Sequence, residues 1–592
     1  MIVKMQQLTL FMSAKGRKAA LKKLQNLGVV HIRHFKVPES ENIDAILADL
    51  SQVGKALEVV AVGPEDKAVH YDTDAAKDAV KEILYHEKQS QTAAALLQEK
   101  QETLQWFETW GSFSYGSVEE LRDAGIFLKL YLADKAALKD LPEDATIEIL
   151  SEAKGTIRLA CFASSPDFRL DLKEEPIPAI ELDVLKGEIA ELEQTMSQMT
   201  ESLTELIAKR PLLMAYQADL TGQLEFSQVL AGMGEEENIV MLQGYCPVDA
   251  VANVKEIADN DGWGYMIGDP EDETEAPTLI KNPKWLRIID PLFQFMGTLP
   301  GYDEQDISFW FLLFFSLFFG MLIGDAGYGL VFLGISLYAS KKAGKDAPKE
   351  AFRLINVLSI ATIVWGVLSG NWFGFEQIGR LPGFNWFIID QIDSFSTTNS
   401  MFMMYFCFVI GIIHLTIAHA LNALKQINSL KAIGQLGWIG ILWTLFFVAG
   451  NLVIGKPMPG FTGILFLVSV IVALVFCNFQ KNILKGIGVT FGDLPLSIIS
   501  SFSDIVSYLR LFAVGYASVT VASSFNNMAV GNGIQSILAG FVAALVLFLG
   551  HSLNIALGLM SVIVHGVRLN VLEFSGHLNM QWAGKPYKPF KK

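Results

Sequence analysis

Residues 501–525 read SFSDIVSYLRLFAVGYASVTVASSF, a run with the length and apolarity of a membrane-crossing helix, yet Arg510 sits deep inside it. A guanidinium stays charged at every relevant pH. Holding one at the bilayer centre costs roughly 2.5–3.5 kcal/mol on insertion scales. A chain rarely carries that cost without a partner, and no carboxylate follows Arg510 in its own helix.

The next apolar run, residues 534–574, repeats the anomaly with Arg568 near its far end. His551, Asn554, Gly558, Ser561, His565 and Arg568 recur at alternating spacings of three and four, which places them on one helical stripe. The other side, with Leu549, Leu553, Leu559, Met560, Ile563 and Val567, suits lipid or packed helices. Two terminal helices thus each bring an arginine and small or polar groups, which reads as a polar path at a protein interface.

Charge divides the 592 residues in two. From residue 307 onward there are 17 Lys/Arg against 9 Asp/Glu, while the first 306 residues hold 29 against 53. The acidic balance therefore belongs to a soluble N-terminal half, and the C-terminal half is membrane-embedded. No basic face emerges, so nucleic acid is not an expected partner. Cys161, Cys246, Cys407 and Cys477 are scattered with no metal-ligand or redox spacing, and neither a metal site nor a disulfide frame is expected. Residues 1–13 lack the apolar core of a signal peptide.

In the soluble half, residues 1–13 and 29–35 read as strands around a basic helix, opening an α/β lobe. Residues 41–62 and 74–110 read as helices separated by a GPEDK loop, and strand character returns across 126–163. Residues 183–233 read as one long helix. In it Leu185, Ile189, Leu192, Met196, Met199, Leu203 and Leu206 keep the four-three repeat of a coiled-coil seam. The expectation is an antiparallel two-helix rod joining two α/β lobes, with residues 238–268 closing a lobe.

The apolar blocks are 307–340, 353–374, 400–424, 434–454, 460–479, 493–528 and 535–575. The first is interrupted by Gly324-Asp325-Ala326-Gly327-Tyr328-Gly329. One long helix there gives seven spans, and a hairpin gives eight. With eight spans and a cytoplasmic N-terminal half, inside loops hold Lys341, Lys342, Lys345, Lys349, Arg353, Lys425, Lys431, Lys481 and Lys485, then the tail lysines Lys585, Lys588, Lys591 and Lys592. Outside loops keep only Arg380 and Lys456, so the positive-inside rule selects eight spans. The expected division is 1–295 cytoplasmic arm, 296–306 pre-membrane linker, 307–580 membrane domain and 581–592 basic cytoplasmic tail.

SYLRLFAVGYASV at 507–519 and HGVRLNVLEF at 565–574, with KPYKPF after it, resemble the last two helices of the membrane stator subunit of rotary V/A-type ATPases. That subunit is called subunit a, or subunit I in archaeal and bacterial complexes. GMLIGDAGYGL at 320–330 and the pre-membrane segment 277–306 resemble the same family. The resemblance implies that Arg510 meets a carboxylate on a rotating proteolipid ring and favours its charged form. Arg568 would share this role. The missing partner of Arg510 would then lie on another chain. Half-channel candidates are Ser503, Asp504, Ser507, Ser518, His551, Asn554, Ser561, His565 and Glu573, while His414 and His419 read as structural hydrogen-bonders. Gly324, Asp325, Gly327 and Gly329 form the turn motif. Many eukaryotic relatives have a histidine where Ser518 stands and a glutamate where Gly558 stands, so those polar groups are absent here.

The resemblance further implies partners: the ring, peripheral-stalk subunits, a central-stalk socket and, indirectly, nucleotide-binding subunits. The setting would be a bacterial or archaeal plasma membrane. No GxxxxGK[ST] phosphate loop is present, so this chain would not itself be the ATPase. It would need no cofactor, and the ion moved would be H⁺ or Na⁺. The rival reading is a secondary ion transporter or channel with a cytoplasmic regulatory domain, since intramembrane charges and broken helices suit that class too.

Overall fold

The computed structural model describes residues 1–61, 72–134, 146–153, 156–344, 347–396, 399–478, 483–531, 533 and 536–591. The GPEDK loop (63–67) and Lys345, Lys481 and Lys592 lie outside the described residues. Two compact units result: one of residues 1–10, 29–33 and 243–589, the other of residues 11–28, 34–242 and 590–592.

The elements run β1 (Met5–Ser13), α1 (Arg17–Leu27), β2 (His31–Arg33), α2 (Glu41–Val59), α3 (Thr73–Trp110) and α4 (Tyr115–Asp123). Then come β3 (Phe127–Asp134), β4 (Thr146–Ala153), β5 (Thr156–Ala163), β6 (Lys173–Glu175), α5 (Leu182–Leu206) and α6 (Arg210–Gly232). Strands β7 (Gly234–Glu236) and β8 (Ile239–Pro247), helix α7 (Val251–Asp261) and strand β9 (Gly264–Gly268) follow.

In the unit built mainly from residues 34–242, α3 packs on α5 and α2 on α6. Val53, Ala56, Ile83, Leu213 and Tyr216 meet in one core, and Phe107, Leu185 and Ile189 in another. An antiparallel sheet in the order β4-β5-β3-β6 stands beside them in this unit. The single helix expected over 183–233 is corrected: it is broken by a 3₁₀ turn at Ile207–Lys209. Pro211 follows in the first turn of α6. Proline has no N–H to give the carbonyl four residues back, at Ile207, and its ring crowds that carbonyl, so the helical ladder cannot run through.

The other unit begins with strands in the order β2-β8-β1-β9, with His31 opposite Tyr245. Its helices are α8 (Asp290–Met296), α9 (Ser308–Ile323), α10 (Ala326–Lys342), α11 (Lys349–Leu368), the single turn α12 (Glu376–Gly379), α13 (Ser400–Lys425), α14 (Lys431–Ile454), α15 (Thr462–Phe476), α16 (Ile483–Ser507), α17 (Leu509–Val530) and α18 (Ile537–Ser561). Among the described residues five runs are long and apolar enough to cross a membrane: Lys349–Leu368, Ser400–Lys425, Lys431–Ile454, Ile487–Val530 and Ile537–His577. α9 and α15 are also apolar but shorter. α9 is buried along most of its length, and its phenylalanines meet Phe408, Ile412, Leu511, Val562 and Phe574 in one core.

GDAGYG is a turn between two helices. Gly324 ends α9 at φ +63°, a left-handed conformation that costs glycine nothing. Asp325 then caps α10, its carboxylate accepting from the N–H groups of Gly327 and Tyr328. α10 runs antiparallel to α11: Ala326 lies against Gly366, and the Ser336 hydroxyl reaches the Phe352 carbonyl.

Two irregularities shape the C-terminal helices. The helical run pauses at Tyr508, where the Leu511 N–H bonds Tyr508 O instead of continuing the ladder to Ser507. After α18 the chain widens into π-helix at Val562–Gly566 and again at Leu569–Phe574, on either side of Arg568. Such π segments are rare and concentrate at functional sites.

Candidate functional site

The pause at Tyr508 leaves the Ser507 carbonyl free, and Arg510 takes it through Nε at 3.1 Å. The same guanidinium donates from Nη2 to Glu573 Oε1 at 2.7 Å. Arg568 Nε lies 3.5 Å from that same oxygen. The Glu573 side chain is 2% exposed, against 25% for Arg510 and 50% for Arg568. Glu573 Oε2 is buried with no hydrogen-bond partner among the described residues. Arg510 thus has a partner inside this chain that the sequence reading did not give it: Glu573, 63 residues on. The second π segment is what turns Glu573 inward. On an uninterrupted α-helix it would fall off the stripe read from the sequence.

Beside this cluster opens a polar cleft of about 380 Å³, lined among others by Ser497, Asp504, Arg568, Glu573, His577 and His419. His577 spans it, with Nε2 3.2 Å from Asp504 Oδ2 and Nδ1 2.9 Å from His419 Nε2. His419 in turn meets Gln435 Oε1 at 2.7 Å. Charged and titratable groups therefore line an opening that reaches Arg568 and Glu573, the residue that Arg510 bonds.

A second network lies around the GDAGYG turn. The Tyr328 hydroxyl is 2.7 Å from His551 Nδ1 and accepts from Asn554 Nδ2 at 3.1 Å. Ser518 donates to Asn554 Oδ1 at 3.3 Å, and His551 Nε2 lies 3.0 Å from Asn526 Oδ1. Asn526 donates to the Phe373 carbonyl at 2.7 Å. Asp325 closes the network: it accepts from the Phe373 and Gly374 N–H groups as well as its two cap bonds. It is 1% exposed.

Of the residues singled out from sequence, Arg510, Arg568, Glu573 and Asp504 come together in the first cluster, with Ser507 contributing its carbonyl. Ser518, His551, Asn554 and Asp325 come together in the second. His551 lies 17 residues before Arg568, about 25 Å of helix rise, so a shared stripe does not bring the two together. The widened turns after Ser561 break the three-four spacing, and the upper and lower halves of the stripe serve different networks. His565 is near both guanidinium groups, with Nδ1 buried and unpartnered among the described residues. Ser503 is exposed, and neither it nor Ser561 joins either network. Gly327 packs against the Phe373 ring and Gly329 against Ile363. His414 bonds the Tyr508 hydroxyl at 2.8 Å between the rings of Phe314 and Phe574.

Sequence reasoning missed Tyr328, Asn526, Gln435 and His577. Tyr328 stands inside the motif already noted, and a polar group in an apolar run was the available signal. Nothing local marks His577 or Gln435.

No family model matches this chain. A protein of Borreliella burgdorferi named V-type ATP synthase subunit I is 31% identical over the full length of both chains. V-type ATP synthase subunit I 1 of Treponema pallidum is 28% identical, again over both full lengths. A-type ATP synthase subunit I of Methanocaldococcus jannaschii is 26% identical over 72% of this chain and 65% of that protein. A solved cytoplasmic N-terminal domain of subunit I, a homolog of V-ATPase subunit a, matches 44% of this chain and all of that one at 16% identity. Its TM-score of 0.25 is too low to bear on the fold.

Proposed function

Because this chain belongs to the subunit I family of V/A-type ATP synthases, we propose that it is the membrane stator past which a carboxylate-bearing ring rotates. Ions enter and leave the ring through two polar half-channels in this chain. Arg510 meets each ring carboxylate as it passes, favours its charged form and so releases the ion. Because the guanidinium cannot lose its proton, it also blocks a direct leak between the half-channels. The observation that carries this reading is the pair of arginines around buried Glu573, with Arg568 and Glu573 lining a 380 Å³ polar cleft among apolar helices.

The cleft lined by Asp504 and His577 would serve as one half-channel, and the Ser518–Asn554–His551 network would line the other. α9, α10, α11, α13, α14, α15, the α16–α17 pair and α18 with its π-helical extension would make eight spans, with both termini cytoplasmic. Residues 1–295, with α3 against α5 as a coiled-coil arm, would bind the peripheral stalks and meet the central-stalk socket. Residues 296–306 would link arm to membrane domain, and 581–592 would form the basic tail. ATP chemistry would belong to partner subunits, and the ion would be H⁺ or Na⁺ across a bacterial or archaeal plasma membrane.

The test is ion pumping and ATP hydrolysis in vesicles holding the whole complex, wild type against Arg510→Ala. The expected outcome is an assembled complex whose pumping falls by at least about 100-fold, as befits loss of a buried charge contact worth about 3 kcal/mol or more. Normal pumping by an assembled Arg510→Ala complex would sink the proposal.

A further inference from the structure

Arg510 is held on two of its three nitrogens. Nε is taken by the Ser507 carbonyl and Nη2 by Glu573, while Nη1 makes no hydrogen bond among the described residues. The side chain keeps a quarter of its surface open. An arriving carboxylate can therefore bind the free edge of the guanidinium without displacing Glu573. The two guanidinium groups and the Glu573 carboxylate together carry a single net positive charge; Asp504 and His577 in the adjoining cleft and His565 beside the arginines are the other charged or titratable groups that face them. Glu573 also differs from a settled structural ion pair: Oε1 is shared by both arginines, and Oε2 is buried without a donor among the described residues. Most buried side-chain polar atoms have at least one hydrogen-bond partner, so an unpartnered carboxylate oxygen beside two arginines calls for a reason.

We infer that Glu573 is a positioning residue, the resident counter-ion that clamps Arg510 from behind and halves the positive charge seen by an incoming carboxylate. This rests on the stator reading. The clamp keeps Arg510 from following a departing ring carboxylate, and the charge balance keeps the hold weak enough to break at each step. The π-helical segment Leu569–Phe574 is the device that delivers it. Without Glu573, two uncompensated guanidinium groups would hold the ring carboxylate in its ionised form. Reloading with a cation would then need a higher cation concentration.

The experiment uses the whole reconstituted complex and measures ATP-driven pumping across a range of cation concentration, pH for H⁺ or Na⁺ at fixed pH. Glu573→Gln is expected to assemble and to pump about 5–20-fold more slowly, with its half-maximal cation concentration raised about 10-fold. The double mutant Arg568→Gln/Glu573→Gln has the wild-type net charge and is expected to return that midpoint to the wild-type value. If Glu573→Gln does not assemble, the midpoint of the double mutant decides alone. A Glu573→Gln complex with an unmoved midpoint, whatever its rate, overturns the inference, as does a double mutant whose midpoint stays displaced. Arg510→Ala is run alongside: normal pumping there defeats the stator reading itself, whereas lost pumping there with an unmoved Glu573→Gln midpoint defeats only the role given to Glu573.

Discussion

The two polar networks in the helical unit are built on opposite principles. Around Tyr328 every side chain meets a complementary partner, and Asp325 spends its two oxygens on four backbone N–H groups. Around Arg510 the groups are charged, Nη1 of Arg510 and Oε2 of Glu573 have no partner among the described residues, and a 380 Å³ cleft adjoins them. Buried polar groups away from water are stable when fully paired and costly when not. The first network is thus suited to holding helices in place. The second keeps bonds in reserve, which is what a site that exchanges partners requires.

Asp325→Ala tests that contrast most severely. It strips the acceptor from the N–H groups of Gly327, Tyr328 and Phe373, while Gly374 N–H keeps Asn371 Oδ1; each unmet buried donor costs about 1–3 kcal/mol, for a total of about 3–9 kcal/mol. The expected outcome is loss of assembled complex in membranes, measured as yield on purification. Pumping-competent complex at wild-type yield would mean that the turn is held by something else. Tyr328→Phe is gentler. It removes one hydroxyl shared by His551 and Asn554 and is expected to lower thermal stability by about 1 kcal/mol while leaving assembly intact. If it abolished pumping without touching stability, the network around Tyr328 would be an exchange path rather than a brace. His577→Gln is the smallest of the three. It keeps a polar side chain but loses the bridge from Asp504 to His419, and a two- to five-fold drop in pumping is expected with unchanged melting. No change in pumping would remove the cleft from the ion path.

Much of this was legible in the chain. Apolar runs and an arginine inside one of them are one-dimensional signals, because lipid penalises charge at each residue separately. The glycine and aspartate of GDAGYG likewise announced a turn, since left-handed φ and helix capping are local demands. The four-three seam correctly marked Leu185 and Ile189 for burial, but Pro211 ended the helix that the seam implied.

What the amino-acid sequence determined by itself was therefore which segments are apolar, where chains turn, and that Arg510 and Arg568 need partners. Only the tertiary structure decided who those partners are. Glu573 reaches Arg510 because a pause at Tyr508 frees a carbonyl on one helix and a π-helical turn rotates the other by a fraction of a turn. Neither departure leaves a periodic trace, because each is set by packing between helices distant in sequence, and hydrophobic spacing records only the regular helix.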